Sequence, residues 1–203
     1  MSVAVCRRKS VTRGHNANTV RIIGGQWRSR RLPFPDAPGL RPTPDRVRET
    51  LFNWLQYDIH GARCLDLYAG SGALGFEALS RGAGSAVLVE QHAQAARQLT
   101  QSAQLLKTTD AHIVNSEAIH YLQRTTDSFD IVFIDPPFDL SAWRGVIDAL
   151  DTRGCLATNA LVYIESPAHG EPLIIPTHWT LAKRGTAGEV QYTLYRATKQ
   201  SEE

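Results

Sequence analysis

Two short stretches hold residue types that could do chemistry. Asp66-Leu67-Tyr68-Ala69-Gly70-Ser71-Gly72-Ala73-Leu74-Gly75 sets a carboxylate before a glycine-rich run. Asp135-Pro136-Pro137-Phe138 sets a second carboxylate before two prolines and an aromatic ring. Gly70, Gly72 and Gly75 satisfy G-x-G-x-x-G, and Glu90 ends the next predicted strand. That spacing is a dinucleotide fingerprint: glycines turn the chain and admit a ligand, and the later acid binds ribose hydroxyls. Both roles serve any ligand containing adenosine, so a nicotinamide enzyme is one reading.

Asp66 separates the ligands. A carboxylate at the end of the first strand of such a unit repels a pyrophosphate and attracts a cation. S-adenosylmethionine carries an ammonium and a sulfonium, so Asp66-x-x-x-Gly70-x-Gly72 favours it over a dinucleotide. Asn115-Ser116-Glu117 follows a later strand, where Ser116 or Glu117 could bond an adenine amino group.

Asp135-Pro136-Pro137-Phe138 speaks to the reaction. Two prolines stiffen the turn and remove N–H donors, leaving the Asp135 carboxylate and the Pro136 carbonyl as acceptors. Phe138 offers a ring on which a base can stack. The lone pair of a nucleobase amine is delocalised and poorly nucleophilic. Hydrogen bonds from its two N–H groups to fixed acceptors aim that lone pair at a methyl donor, so catalysis is positioning and electrostatics. Asp135 is also placed to take up the released proton. Guanine N2 and adenine N6 both present such an amine, and adenine-N6 methylation is the alternative reading.

These motifs need a sheet to bring them together. Strands are predicted over 63–67, 86–90, 112–115, 129–134 and 161–165, with helices over 72–81, 93–106, 118–125 and 142–150. Short strands alternating with helices predict a parallel sheet covered on both faces. The runs 179–184 and 190–196 leave no room for a helix between them and read as a closing antiparallel hairpin. The fold class is therefore α/β and Rossmann-like, with the last strand antiparallel.

Residues 1–50 hold eleven Lys or Arg against three Asp or Glu, while the rest of the chain holds eleven against seventeen. A basic front on an acidic body reads as a polyanion-facing edge. Residues 1–19 lack periodicity and are expected to be a disordered basic tail. The β-prone runs 19–23 and 26–32 flank Gly24-Gly25 and predict a tight hairpin with Arg28 and Arg30 on one face. Trp27, among these arginines, could stack on RNA. Residues 32–40, rich in proline, read as loop. Thr43 is expected to cap a helix that has Pro44 at its first position. Val47, Leu51, Trp54 and Leu55 form the buried stripe of that helix, with Arg46 and Arg48 off it. The domains are thus a tail over 1–19, an RNA-facing hairpin and loop over 20–42, and a catalytic body over 43–203.

Other chemistry is poorly supported. Cys6, Cys64 and Cys155 are odd in number and widely spaced, which argues against a disulfide framework or a cysteine-rich zinc site and fits a reducing cytoplasm. The histidines show no metal spacing, and Ser71 lacks the glycine spacing of a hydrolase nucleophile. No apolar run approaches the roughly 18 residues of a membrane helix, and no apolar segment follows the basic start as a secretory signal would.

The residues also carry a resemblance. Asp66 to Gly72 with Asp135 to Phe138 resembles class I methyltransferases acting on exocyclic nitrogens. The run Arg21-Ile22-Ile23-Gly24-Gly25-x-Trp27-Arg28-x-Arg30-Arg31-Leu32 is distinctive, as is Gly39-Leu40-Arg41-Pro42-Thr43-x-Asp45-Arg46-Val47-Arg48-Glu49-x-Leu51-Phe52-Asn53. Together they make residues 20–197 similar to the bacterial family that methylates N2 of guanine 966 in 16S ribosomal RNA. The resemblance implies a seven-stranded sheet, S-adenosylmethionine as donor, and a substrate within the small ribosomal subunit or its assembly intermediate, met by a monomer. For the site it implies Asp135, Pro136 and Phe138 at the reacting amine. Around the cofactor it implies Asp66, Tyr68, Gly70, Gly72, Glu90, Gln91, Ser116 and Glu117, with Thr43 and Arg46 closing over the methionine end. Ser116 and Glu117 stand where relatives commonly have Gly and Asp. Arg21, Trp27, Arg28, Arg30, Arg31 and Arg41 are the expected RNA contacts.

Overall fold

The computed structural model describes residues 18–35, 43–137 and 140–198. Residues 1–17 of the tail expected over 1–19, residues 36–40 of the loop expected over 32–40, Arg41 and Phe138 lie outside the described residues, whereas Asn18 and Thr19 of that tail begin the first strand.

Strands β1 (Asn18–Arg21) and β2 (Arg31–Phe34) form an antiparallel pair, and helix α1 (Asp45–Trp54) follows. The body alternates β3 (Arg63–Asp66), α2 (Ala73–Ser80), β4 (Ser85–Glu90), α3 (Ala93–Leu106), β5 (Ala111–Asn115), α4 (Ala118–Arg124), β6 (Phe129–Ile134), α5 (Leu140–Thr152) and β7 (Leu156–Pro167). It closes with the hairpin β8 (Trp179–Ala187) and β9 (Val190–Ala197). The sheet has seven strands in the order β5-β4-β3-β6-β7-β9-β8. Strands β3 to β7 pair in parallel, and β9 runs antiparallel between β7 and β8.

Side-chain alternation divides the core between two faces. Cys64, Ala86, Leu88, Ile131, Phe133, Leu161 and Tyr163 pack on one face with α1, α2 and α3. Leu65, Val87, Val89, Val132, Ile134, Val162 and Ile164 pack on the other with α4 and α5. Val20, Ile22, Trp27, Leu32 and Phe34 of the N-terminal hairpin join the first face, so the hairpin shares the core of the sheet.

The hairpin departs from its expected form. Gly24-Gly25 is not a two-residue turn: Arg21 pairs with Arg31, and residues 22–30 make a long connection. That connection docks on α2. The N–H of Gln26 donates to the Ser80 carbonyl (2.8 Å), that of Trp27 to Ser80 Oγ (3.0 Å), and Ser80 Oγ donates to the Gly24 carbonyl (2.5 Å). Gly25 has φ +74°, and a Cβ there would lie 1.7 Å from the Ser80 carbonyl oxygen. The glycine pair serves this close approach. Leu32 to Phe34, expected as loop, is β2, with Pro33 tolerated in a two-stranded sheet.

Helix α1 differs in two respects. Pro44 is its N-cap, and Thr43 makes no capping hydrogen bond. Arg48, expected off the buried stripe, is fully buried. Its Nε donates to the Thr43 carbonyl (3.1 Å), and Nη2 donates to the Arg21 carbonyl (2.9 Å) and Asp45 (2.6 Å). A charged side chain is buried there because every face of its fork meets an acceptor.

Candidate active site

The sheet order reverses between β3 and β6: the chain builds β3, β4 and β5 outward on one side, then returns to the other side of β3. Open α/β sheets bind ligands at such a point, beyond the carboxyl ends of the strands. Those ends carry Asp66 on β3, Glu90 on β4, Asn115 on β5, Asp135 just past β6 and Glu165 on β7. Asp66 and Asp135 flank the reversal.

The glycine turn is built around carboxylates. Asp66 Oδ2 accepts the Gly75 N–H (3.0 Å), and Glu90 accepts the N–H groups of Gly70 (2.9 Å) and His92 (2.7 Å). Gly72 is left-handed at φ +76°, and a Cβ there would lie 2.5 Å from the Phe76 ring. Any other residue would strain the entry into α2. Asn115 Nδ2 donates to the carbonyls of Glu90 (2.7 Å) and Gln91 (2.9 Å), fixing the loop after β4.

The electrostatics of this edge are one-sided. Among the described residues, none of Asp66, Glu90, Asp135 and Glu165 has an ion-pair partner. Burial pushes the Asp66 carboxyl up to about 7, with Glu90 and Glu165 adding repulsion, although the Gly75 and Tyr68 N–H groups oppose this. Burial also raises Asp135 well above the usual carboxylate range, aided by the charges of Glu165 and Asp66 and opposed by the Thr43 hydroxyl. Glu165 is raised by burial, against hydrogen bonds from Tyr163 and Thr43. A cluster of acids, with Asp66, Glu90 and Glu165 buried and Asp135 half-buried, and without a cation among the described residues, suits a cationic ligand, which would let them ionise.

Thr43 joins the N-terminal segment to this cluster. Its hydroxyl donates to Asp135 Oδ2 (3.4 Å) and its carbonyl is held by Arg48. A groove of about 410 Å³ runs beside it, lined by Thr19, Arg21, Arg31, Thr43 and Asp45 among others. The cross-strand pair Arg21 and Arg31 thus lines a groove that shares Thr43 with the Asp135 carboxylate.

The remaining expected residues are distributed as follows. Pro136 is buried behind Asp135, and Tyr68 is partly buried in the glycine turn. Gln91 and Glu117 are exposed beyond the strand ends, and Ser116 Oγ donates to the Glu117 carbonyl (3.1 Å). Arg46 is exposed on α1, and Arg28 is exposed on the hairpin connection. Arg28 and Arg30 sit in that connection, not on one strand face, and Arg30 Nη1 donates to the Leu105 carbonyl at the end of α3 (3.2 Å). Trp27 is buried in the core, so it presents no free ring for stacking. Its neighbours are arginines in sequence, but its side chain turns inward under the docked connection.

Sequence reasoning missed two groups here. Glu165 lies near the carboxyl end of β7, and its meaning shows only once β7 stands beside β6. Asn115 ends the edge strand β5 and positions the loop after Glu90.

A Rossmann-like sheet with an acidic switch point, a glycine turn and an Asp-Pro-Pro sequence defines a class I methyltransferase. Residues 20–196 match the family model described as Conserved hypothetical protein 95, and the chain belongs to that family. It is 49% identical over 183 residues to ribosomal RNA small subunit methyltransferase D of Escherichia coli K12, covering 90% of this chain and 92% of the relative. It is 46% identical to the protein of the same name from Haemophilus influenzae, covering 87% and 93%. The solved structure of yhhF from Escherichia coli superposes with a TM-score of 0.85 at 48% identity, covering 90% of this chain and all of that one.

Proposed function

We propose that the protein methylates the exocyclic N2 of a guanine in 16S ribosomal RNA, the guanine 966 position of the family it resembles, using S-adenosylmethionine. The observation that carries this reading is the juxtaposition of Asp66 and Asp135 across β3 and β6, with the Arg21–Arg31 groove joined to Asp135 through Thr43. When bound, S-adenosylmethionine supplies a methyl group on a cationic sulfur: N2 forms the new N–C bond as the C–S bond breaks, the bond pair stays on sulfur, and the amine sheds one proton.

The residues divide the work. Asp66, buried and unpaired by any cation among the described residues, meets the positive charge of the donor. Glu90, held by the Gly70 and His92 N–H groups, offers its remaining lone pairs to ribose hydroxyls. Gly70 and Gly72 shape the turn, with Tyr68, Gln91, Ser116 and Glu117 around the nucleoside. Asp135 and the Pro136 carbonyl accept the two N–H bonds of the target amine, and Asp135 takes up the proton. Phe138 stacks on the base. Thr43 and Arg46 border the methionine end, while Arg21, Arg28, Arg31 and Arg41 take phosphates.

The relatives are named ribosomal RNA small subunit methyltransferase D, and the alternative of adenine-N6 methylation of DNA or RNA is not favoured. The substrate is 16S ribosomal RNA in the small subunit or its assembly intermediate, met by a monomer in the cytoplasm. No helix among the described residues is long and apolar enough to cross a membrane. Methyl transfer to small subunits lacking the modification tests the reading. Asp135→Asn is expected to lower the rate at least about 100-fold, and an undiminished rate would refute its role.

A further inference from the structure

We propose that Glu165 is a second acid of the methyl-transfer site, joined to Asp135 through the Thr43 hydroxyl and sharing with it the proton given up by the target amine. The proposal rests on the reading of Asp135 as the proton-accepting group.

The sheet puts the two acids side by side. Ile134 of β6 pairs with Ile164 of β7 in parallel register. Asp135 directly follows β6, and Glu165 is the next residue of β7. Alternation sends both toward the face that holds Phe133 and Tyr163, and Asp66 faces the same side from β3. The Tyr163 hydroxyl donates to Glu165 Oε1 (2.8 Å). The Thr43 hydroxyl donates to Asp135 Oδ2 (3.4 Å) and lies near enough to Glu165 to favour its charged form. One hydroxyl between two carboxylates can donate to only one of them at a time. It can therefore accept a proton from Asp135 while passing its own to Glu165.

This arrangement explains a charge problem. Both acids are pushed up, first by burial; Asp135 also feels Glu165 and Asp66, whereas Glu165 is opposed by its bonds from Tyr163 and Thr43. The pair holds one proton most easily on Asp135, because Glu165 has the better donors. The groups facing the pair are Asp66 on β3, Tyr163 on β7 and Thr43 before α1, with Glu90 beyond Asp66. The reaction balances: once N–C is formed and C–S broken, the N2 proton passes to the Asp135 carboxylate. It is then shared through Thr43 with Glu165, and reaches solvent when product leaves. A negative neighbour also makes Asp135 a stronger acceptor than a lone carboxylate. Glu165 is in this sense a positioning residue that acts through Asp135.

The pH profile of single-turnover methyl transfer to small subunits, in Glu165→Gln, Thr43→Val and Thr43→Ser, tests this. Removing the Glu165 charge lowers the pH at which Asp135 loses its proton. The acid limb of Glu165→Gln therefore moves to lower pH, and at fixed pH on that limb the variant keeps a several-fold larger share of its plateau rate. Thr43→Val removes a donor to Asp135, so its limb moves to higher pH, and Thr43→Ser restores the wild-type limb. Rates that fall without any movement of the limb in Glu165→Gln and Thr43→Val would overturn the proposal and leave Glu165 a packing residue. Should Glu165→Gln not fold, Tyr163→Phe takes its place: it removes the 2.8 Å donor to Glu165 and none from Asp135, so the limb moves to higher pH, and an unmoved limb overturns the proposal. Full activity in Asp135→Asn would instead refute the reading beneath it, which the limb shifts alone do not touch.

Discussion

The Arg48 guanidinium stands 3.5 Å from the Glu77 carboxylate, and both side chains are essentially out of solvent. Glu77 also accepts the N–H groups of Ile23 (2.7 Å) and Gly24 (2.8 Å) and Arg81 Nε (2.8 Å). Arg48 meanwhile holds the carbonyls of Arg21 and Thr43. One buried ion pair therefore ties together the arginine-bearing hairpin, the segment that reaches Asp135, and the helix that follows the glycine turn.

Removing one partner of such a pair leaves the other charged and poorly matched. Arg48→Met is expected to cost about 3–5 kcal/mol, or roughly 6–20 °C in Tm for a chain of this size. Arg48→Lys recovers little, because an ammonium cannot span the acceptors that the guanidinium fork meets. Calorimetry of both variants checks this; a Tm within a degree of wild-type would show that the pair is dispensable.

The docking of the hairpin connection makes a second prediction. Gly25→Ala drives a methyl group into the Ser80 carbonyl at a left-handed backbone position. It should detach residues 22–30 from α2 with a loss of more than about 1 kcal/mol. Limited proteolysis would then cut within that connection, while S-adenosylmethionine binding, which depends on the distant strand ends, persists. Ser80→Ala loses two hydrogen bonds at the same joint and should show a milder form of the same behaviour.

Much of the fold was legible in the sequence because it depends on local period and punctuation. Helix α3 was expected over 93–106 and is found there, and each strand of the parallel sheet was placed within a few residues. The chief exception is β7, expected over 161–165 and observed over Leu156–Pro167. Its register shifts between the rungs at Phe129 and Ile131 of β6, which hides the first part of the strand from an alternating pattern. What was not legible was long-range pairing. Arg48 reads as surface because it is charged and sits off the apolar stripe, yet its partners lie at Arg21, Thr43 and Glu77. Gly24-Gly25 reads as a hairpin turn because nothing local announces Ser80. Glu165 was passed over because its meaning depends on β6 and β7 being neighbours.

Stability without ligand should depend on pH through Asp66. Its folded value of about 7 lies above the ordinary carboxylate value. Its contribution is therefore fully present at low pH and is lost as pH rises through about 7. Over the same window the affinity for cationic S-adenosylmethionine should rise, because the ionised carboxylate attracts it. Calorimetric titrations between pH 5.5 and 8 follow this, and Asp66→Asn should flatten the dependence. A steeper pH dependence in that variant would contradict the assignment.

The exposed arginines should govern RNA affinity and its salt dependence. Arg28→Ala and Arg31→Ala are each expected to reduce the slope of log affinity against log salt by about one, with cofactor affinity unchanged. Trp27→Phe, at a buried ring, should alter stability and leave the salt slope as it is. Filter binding to small-subunit RNA at several salt concentrations separates these effects.

The central claim is that the acidic switch point and its basic margin methylate N2 of a guanine in small-subunit RNA. Nucleoside analysis by mass spectrometry, after the protein has acted on small subunits lacking the modification, tests it most directly. The expected result is 2-methylguanosine at a single site, absent when Asp135→Asn replaces the wild-type protein. Formation of 6-methyladenosine, or of 2-methylguanosine undiminished in the variant, would contradict it.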